Sequence, residues 1–281
     1  MWSAFHFVIL KYIMGGPLEA LEADIHLYSK QIKDLKRGKC FEMSRRIQQA
    51  FLNLLGRDNK DDPTRMTGKA YPPIIFENNM KNDFFATGIR IFQGMLLTFF
   101  SKHVEKADKV LEVGHDFLQK ANVANPNNMW DTFLTAVSSF AAARETKKKK
   151  YAKLGQICRK KIKKWLEMGN PTVMHYESLI DAERMAYQGN KYAALKHYEA
   201  AILLSAHGGY QQDAALASER LGEFHLTVMN DKDQAAYYFG QSLKYWKDWG
   251  AMAKVYVLQD AYADILPETS SIPTVISSSC S

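Results

Sequence analysis

A chain of 281 residues in which 47% are apolar is long enough to bury a large core, and its 37 Lys and Arg exceed its 30 Asp and Glu by seven. The three cysteines, Cys40, Cys158 and Cys280, stand without metal-ligand spacing, and the eight histidines form no i, i+4 pair. This leaves neither a disulfide framework nor a readable zinc site, and makes a reducing, cytoplasmic setting the default.

In chain order, residues 2–14 read as an apolar helix. Nothing basic precedes them, Gly15-Gly16-Pro17 is a turn signal more than a cleavage site, and the segment is too short to cross a bilayer, so no membrane span is expected. Further helices are expected at about 17–37, 39–56, 82–100, 102–120, 129–145, 148–168, 172–188, 191–206, 210–229, 232–248 and 251–265. The periodicity is direct: Cys40, Met43, Ile47, Ala50 and Leu54 advance by three and four, as do Val104, Ala107, Leu111, Gly114 and Leu118. Asn125-Pro126-Asn127, Gly169-Asn170-Pro171, Gly208-Gly209 and Gly250 mark breaks, and strand signals are nearly absent. An irregular loop is expected over about 57–81, which holds Asp62-Pro63-Thr64 and Tyr71-Pro72-Pro73; a loop of that length is either functional or mobile.

The region from Gly189 to Val255 reads as two helical hairpins. Ala194, Tyr198 and Ala201 are spaced four and three apart, and Ala235, Phe239 and Ser242 repeat that spacing 41 residues later, with Leu221-Gly222 on the preceding helix. The interval is longer than the roughly 34 residues of a tetratricopeptide repeat but suits helix-pair solenoids. Small residues are expected where helices cross closely, so Ala194, Tyr198, Ala201, Gly222, Ala235, Phe239, Ser242, Trp249 and Gly250 are the repeat-packing set.

Leu52-Asn53-Leu54-Leu55-Gly56-Arg57 with Asp62-Pro63-Thr64-Arg65-Met66-Thr67-Gly68 resembles a segment of very large signalling proteins. These join a serine/threonine kinase-like domain, an AAA-type (STAND class) ATPase, a helical repeat region, a GAF domain and a histidine kinase. His207-Gly208-Gly209-Tyr210, Asp213-Ala214-Ala215-Leu216-Ala217-Ser218-Glu219 and the run from Tyr245 to Val255 look like the last repeats of that helical region. The resemblance spans roughly residues 15–266. It implies an all-α fold, a right-handed TPR-like superhelical solenoid of antiparallel helix pairs, as a single array over 1–266 followed by a disordered Ser-rich tail over 267–281. It also implies a fragment of a larger protein, with the flanking ATPase, GAF and kinase domains as partners, and it carries over no catalytic, cofactor-binding or metal-binding residue.

Enzyme motifs are weak. Gly68-Lys69-Ala70 lacks the hydroxyl and the earlier glycine of a phosphate-binding loop, and His115-Asp116 lacks the residues expected downstream of a phosphoacceptor histidine. No nucleophile elbow is present. The strongest electrostatic feature lies within residues 147–164: Lys147, Lys148, Lys149, Lys150, Lys153, Arg159, Lys160, Lys161, Lys163 and Lys164, with no acidic residue among them. These ten cations exceed the net charge of the whole chain, so the remainder is acidic by three and the basicity is local. Tyr151, Leu154, Cys158, Ile162 and Trp165 form an apolar stripe on the same helix, which turns the cations toward water. All of them but Lys161 form the candidate face for docking an acidic protein surface; a merely solvated face is the bland reading, and no specific nucleic acid is expected.

Tyr192, Tyr198, Tyr237, Tyr238, Phe239, Tyr245, Trp246 and Trp249 are expected mostly in the core, with any remainder available to a concave binding face. The leading functional expectation is a non-enzymatic interaction and relay module of a signal-transduction ATPase–kinase. The alternatives are a ligand- or peptide-sensing regulatory solenoid, and part of a histidine or serine/threonine kinase whose catalytic domains lie outside the chain.

Overall fold

The breaks read from the sequence are places where the backbone turns left-handed or a side chain caps a helix. The computed structural model describes residues 2–36, 38–113 and 126–266. Among them it holds thirteen α-helices and no strand: α1 (Trp2–Ile13), α2 (Leu18–Asp34), α3 (Gly38–Leu54), α4 (Pro73–Met80), α5 (Asp83–Phe99), α6 (His103–Val113), α7 (Pro126–Thr146), α8 (Lys149–Glu167), α9 (Met174–Tyr187), α10 (Lys191–Gly208), α11 (Gln211–Phe224), α12 (Lys232–Trp249) and α13 (Met252–Ala261). Gly209 and Gly250 end α10 and α12 with φ of 77° and 97°, a conformation that glycine adopts without penalty. Asn190 caps α10 through the Ala193 amide (3.2 Å), and Asp231 caps α12 through the Gln234 amide (3.0 Å).

Three boundaries differ from expectation, each for a local reason. Within the break expected at 125–127, Pro126-Asn127 starts α7, because proline at the first helical position gives up an amide that would be unpaired there anyway. The helix expected over 210–229 is α-helical to Phe224 and then widens into one π turn, His225–Met229, closed by Asn230 at φ 56°. Within the expected loop, Pro72-Pro73 starts α4, a short helix with no buried residue and hence no readable periodicity. The expected helix over 102–120 is described to Val113; its remainder, Gly114, Leu118, His115 and the tail over 267–281 lie outside the described residues.

The rest of the loop is pinned to α3 by side-chain amides. Asn53 donates to the carbonyls of Pro63 (3.0 Å) and Arg65 (2.6 Å), and Asn59 to that of Thr67 (2.8 Å). The Gln49 Oε1 accepts from the amides of Ala70 and Tyr71 at 2.9 and 3.1 Å. Buried amides of Gln49 and Asn53 on α3, and of Asn59 in the loop itself, thus satisfy loop backbone that would otherwise need water.

Helices adjacent in sequence pack most extensively: α2 with α3, α7 with α8, α9 with α10, and α11 with α12. Two helices lie inside. Residues 130–143 of α7 are all buried, among α1, α5, α6, α8 and α9, and residues 212–222 of α11 are all buried as well. The first helices also close onto the last. Trp249 Nε1 donates to the Gly16 carbonyl (3.0 Å), Gln212 Nε2 to that of Ile13 (2.7 Å), and α13 packs on α3. An aromatic cluster fills the junction: Tyr12 lies 4.9 Å from Phe51 and 5.4 Å from both Trp130 and Trp249, and Phe99 lies 5.0 Å from Trp246, measured between ring centroids. The inner face of α11 is therefore covered by this chain's own first half, through Ile13, Ser101 and His103, where a concave groove was one expectation.

Candidate functional site

The repeat-packing residues lie in the crossings of consecutive helices. Ala194, Tyr198 and Ala201 on α10, and Ala235, Phe239 and Ser242 on α12, are fully buried. Gly222 makes the closest approach: a Cβ there would stand 2.7 Å from the Phe239 ring, so α11 and α12 meet at this distance because the side chain is absent. Gly155 of α8 faces Phe140 of α7 in the same manner, at 2.9 Å, a crossing the sequence reading missed. Ser242 donates to the Ala215 carbonyl (2.8 Å), and Trp249 and Gly250 form the seam with Gly16 and Leu18. Among the aromatics, Trp246 is buried as well, Tyr238 and Tyr245 are partly buried, and Tyr192 (82% exposed) and Tyr237 (61%) stand in solvent.

The basic stretch becomes the amphipathic helix α8 and the turn before it. Tyr151, Leu154, Gly155, Cys158 and Ile162 are buried, chiefly against α7. Lys149, Lys153, Lys160 and Lys164 recur at helical spacing on the opposite side, all exposed, with Lys163 beside them. Several members of the expected docking face are already engaged. Lys150 pairs with Asp108 (2.6 Å), Lys163 lies 3.9 Å from Glu167, and Arg159 is committed to Asp181, its Nη2 donating at 2.9 Å. Burial raises the Asp181 pKa, but the bonds from Arg159 and Arg184 outweigh it and hold the carboxyl below its ordinary value. Lys147, at φ 60°, and Lys148 are exposed in the turn between α7 and α8. The face that remains is a stripe of Lys149, Lys153, Lys160 and Lys164, about 22 Å long at 1.5 Å per residue.

A second electrostatic centre, unseen in the sequence, lies inside. Arg220 of α11 grips Glu183 of α9 with two bonds, Nε to Oε1 at 2.6 Å and Nη2 to Oε2 at 3.2 Å, and also pairs with Glu223. Tyr198 donates to Glu183 (2.8 Å) and Arg144 stands 3.9 Å away. Next to it, Glu219 accepts from Lys254 (2.6 Å), Trp246 Nε1 (3.1 Å) and Ser101 (3.2 Å). Burial pushes the Glu183 pKa up, yet Arg220 and Arg144 prevail and keep it below the ordinary glutamate value; for Glu223 burial wins and the pKa is raised.

His103 links this centre to α7. Its Nε2 lies 3.0 Å from Arg220 Nη1, and because guanidinium only donates, Nε2 accepts and the proton sits on Nδ1, facing Ser138 Oγ at 3.2 Å. Burial, then Arg220, Lys254 and Arg144, hold the imidazole pKa well below its usual value, so the ring is neutral. The centre borders an open pocket of about 510 Å³ that includes Ser101, Arg144, Tyr262 and the π turn. Both His103 nitrogens are occupied and the acids face cations, so the arrangement clamps helices and offers no free general base. Its members are spread over seven helices, α6, α7 and α9 to α13, and the one sequence signal was the Ala-rich run at 213–219, which marks a helix buried all round in which any charge needs a partner.

Other chemistry is quickly bounded. The Cys158 thiol is buried and its pKa is pushed up to about 12, which makes it a poor nucleophile. The Lys69 ammonium is tied to the Arg57 carbonyl (2.8 Å). Among the described residues there is no group of three or more His, Cys, Asp or Glu that could hold a metal ion, and no helix is long and apolar enough to cross a membrane. No protein-family model, curated protein or solved structure matches the chain.

Proposed function

We propose that the chain is a non-enzymatic interaction and relay module, a TPR-like right-handed solenoid of antiparallel helix pairs, whose α8 lysine stripe docks an acidic surface of a partner protein or flanking domain. One observation carries this reading: Lys149, Lys153, Lys160 and Lys164 project from a helix whose other side is locked into the core, so the points from which the charges extend are fixed in register. The stripe contains lysines alone, its one arginine being committed to Asp181, and the aromatics of α8 face inward or lie half-buried, an arrangement poor in base-stacking groups. The clamp of Arg220, Glu183 and Glu219 joins helices from α6 to α13 and favours motion as one body, as a relay requires. In this reading the likeness of residues 52–68, 207–219 and 245–255 to the repeat region of ATPase–kinase signalling proteins supplies the context, with the flanking domains as the parts being coupled.

The test is quantitative affinity capture with the wild-type chain and with a variant in which Lys149, Lys153, Lys160 and Lys164 are all glutamine, on nuclease-treated extract, followed by titration of the purified interactor. The expected result is an acidic protein whose affinity falls about tenfold or more in the variant and weakens with salt. Equal binding by both chains, or a difference that disappears with nuclease, would sink the proposal.

A further inference from the structure

Four cationic side chains among the described residues are buried in the fold, and three of them have a carboxylate partner: Lys106 meets Asp131 (2.5 Å), Arg220 meets Glu183 and Lys254 meets Glu219. The fourth, Arg46 of α3, is 5% exposed and has none. Its Nε is buried without a hydrogen-bond partner, and its one bond is a long contact from Nη1 to the Phe85 carbonyl at 3.4 Å. A buried charge left this way is costly, and burial pulls the Arg46 pKa down to about 10.

The exception is also the one that lines a pocket with no acidic side chain among the described residues. The pocket, about 250 Å³, lies between α1, α3, α5 and the first turn of α7. Phe5, Ile9, Met43, Ile91 and Phe92 form apolar walls, and Asn127 and Asn128 bring in the N-terminal end of a 21-residue helix, whose dipole favours an anion. The guanidinium fits because residue 88 is glycine: a Cβ there would stand 2.3 Å from Arg46 Cζ and Nη2. A glycine inside α5 weakens the helix relative to alanine, and the space it opens holds this side chain.

We propose that this pocket binds a small organic carboxylate, the acid group on the Arg46 guanidinium and the apolar body against Phe5, Ile9 and Phe92. A planar guanidinium fork matches a carboxylate. Phosphate would bring a second charge and a larger hydration demand to walls that are mostly apolar, where Arg46 is the one permanent cation and His6 the other titratable group. The volume is just under the roughly 300–1,000 Å³ of drug-sized sites, which limits the ligand to a short acid. This site is separate from the α8 stripe, and its occupant would brace the junction of α1, α3, α5 and α7.

The experiment is ligand-observed saturation-transfer NMR with titration on the full chain. The probes are acetate, 4-methylpentanoate, 3-phenylpropionate, the neutral 3-phenylpropanamide and inorganic phosphate. The longer acids should bind at millimolar concentration or better, with the amide about ten- to a hundredfold weaker. Arg46→Met should melt no lower than wild type, since it removes an unpaired buried charge, and should lose the preference for acid over amide. Gly88→Ala, which displaces the guanidinium, gives the same loss and serves if Arg46→Met does not fold. The proposal is overturned if no acid of the series binds at millimolar concentration, if acid and amide bind alike to wild type, if phosphate binds more tightly than 3-phenylpropionate, or if the variant that folds keeps the preference.

Discussion

Helices α8 and α11 are both rich in charge, and they handle it in opposite ways. Lys149, Lys153, Lys160 and Lys164 of α8 stand in water, where each is solvated and neighbouring charges are screened within about 8–10 Å. Glu219 and Arg220 of α11 are sealed among other helices, where each needs a partner at bonding distance and has one. The four stripe lysines thus contribute little to holding the fold, while single charges far apart in sequence fix how its helices are joined.

The sharpest way to break this contrast is Arg220→Ala. It leaves Glu183 buried with Tyr198 and a distant Arg144 as remaining partners, and should cost about 3–5 kcal/mol in chemical denaturation; a loss below 1 kcal/mol would place the clamp in water after all. A middle-sized effect comes from acid. His103 is neutral in the fold with its pKa below the ordinary 6.5, so beneath about pH 6.5 the unfolded chain takes up a proton that the folded chain refuses. Its contribution to stability therefore falls as pH decreases through that window, by at most ~1.4 kcal/mol per pH unit. His103→Gln should flatten the pH dependence of the melting temperature between neutrality and pH 5, and identical slopes would show that His103 titrates normally. Least of all, the fourfold lysine-to-glutamine change on α8 should leave the melting temperature in place while altering binding; a large drop would mean that the stripe is structural.

What could be read in advance follows the range of the interactions. Left-handed glycines, Asn and Asp caps and the Ala-Tyr-Ala spacing act within a turn or between neighbouring helices, and they placed most of the elements and the α9–α12 crossings. The α8 stripe was legible for the same reason, since helical periodicity alone puts Tyr151, Leu154, Cys158 and Ile162 opposite the lysines. The pairing of individual cations with Asp108 and Asp181 was not, because those acids lie on other helices. Helix α4 escaped because it buries nothing. The clamp, the Arg46 pocket and the contact of Gly16 with Trp249 join residues from distant segments, and no local pattern announces them. The segments around Leu55-Gly56, Gly209 and Trp249-Gly250 meet one another or the first helices in this structure, so part of their character is owed to packing.

The seam between Trp249 and Gly16 spans 233 residues of chain. At roughly 5–20 residues per second, a ribosome needs on the order of ten to fifty seconds to pass from one side of that contact to the other. For that interval α1 and α2 have been made while the indole that closes over them has not, and Tyr12 and Leu18 wait without their last cover. Synthesis of this protein thus includes a long exposed phase for its first two helices, during which a holding chaperone has an apolar surface to grip and a slow stretch of codons would prolong the risk of aggregation.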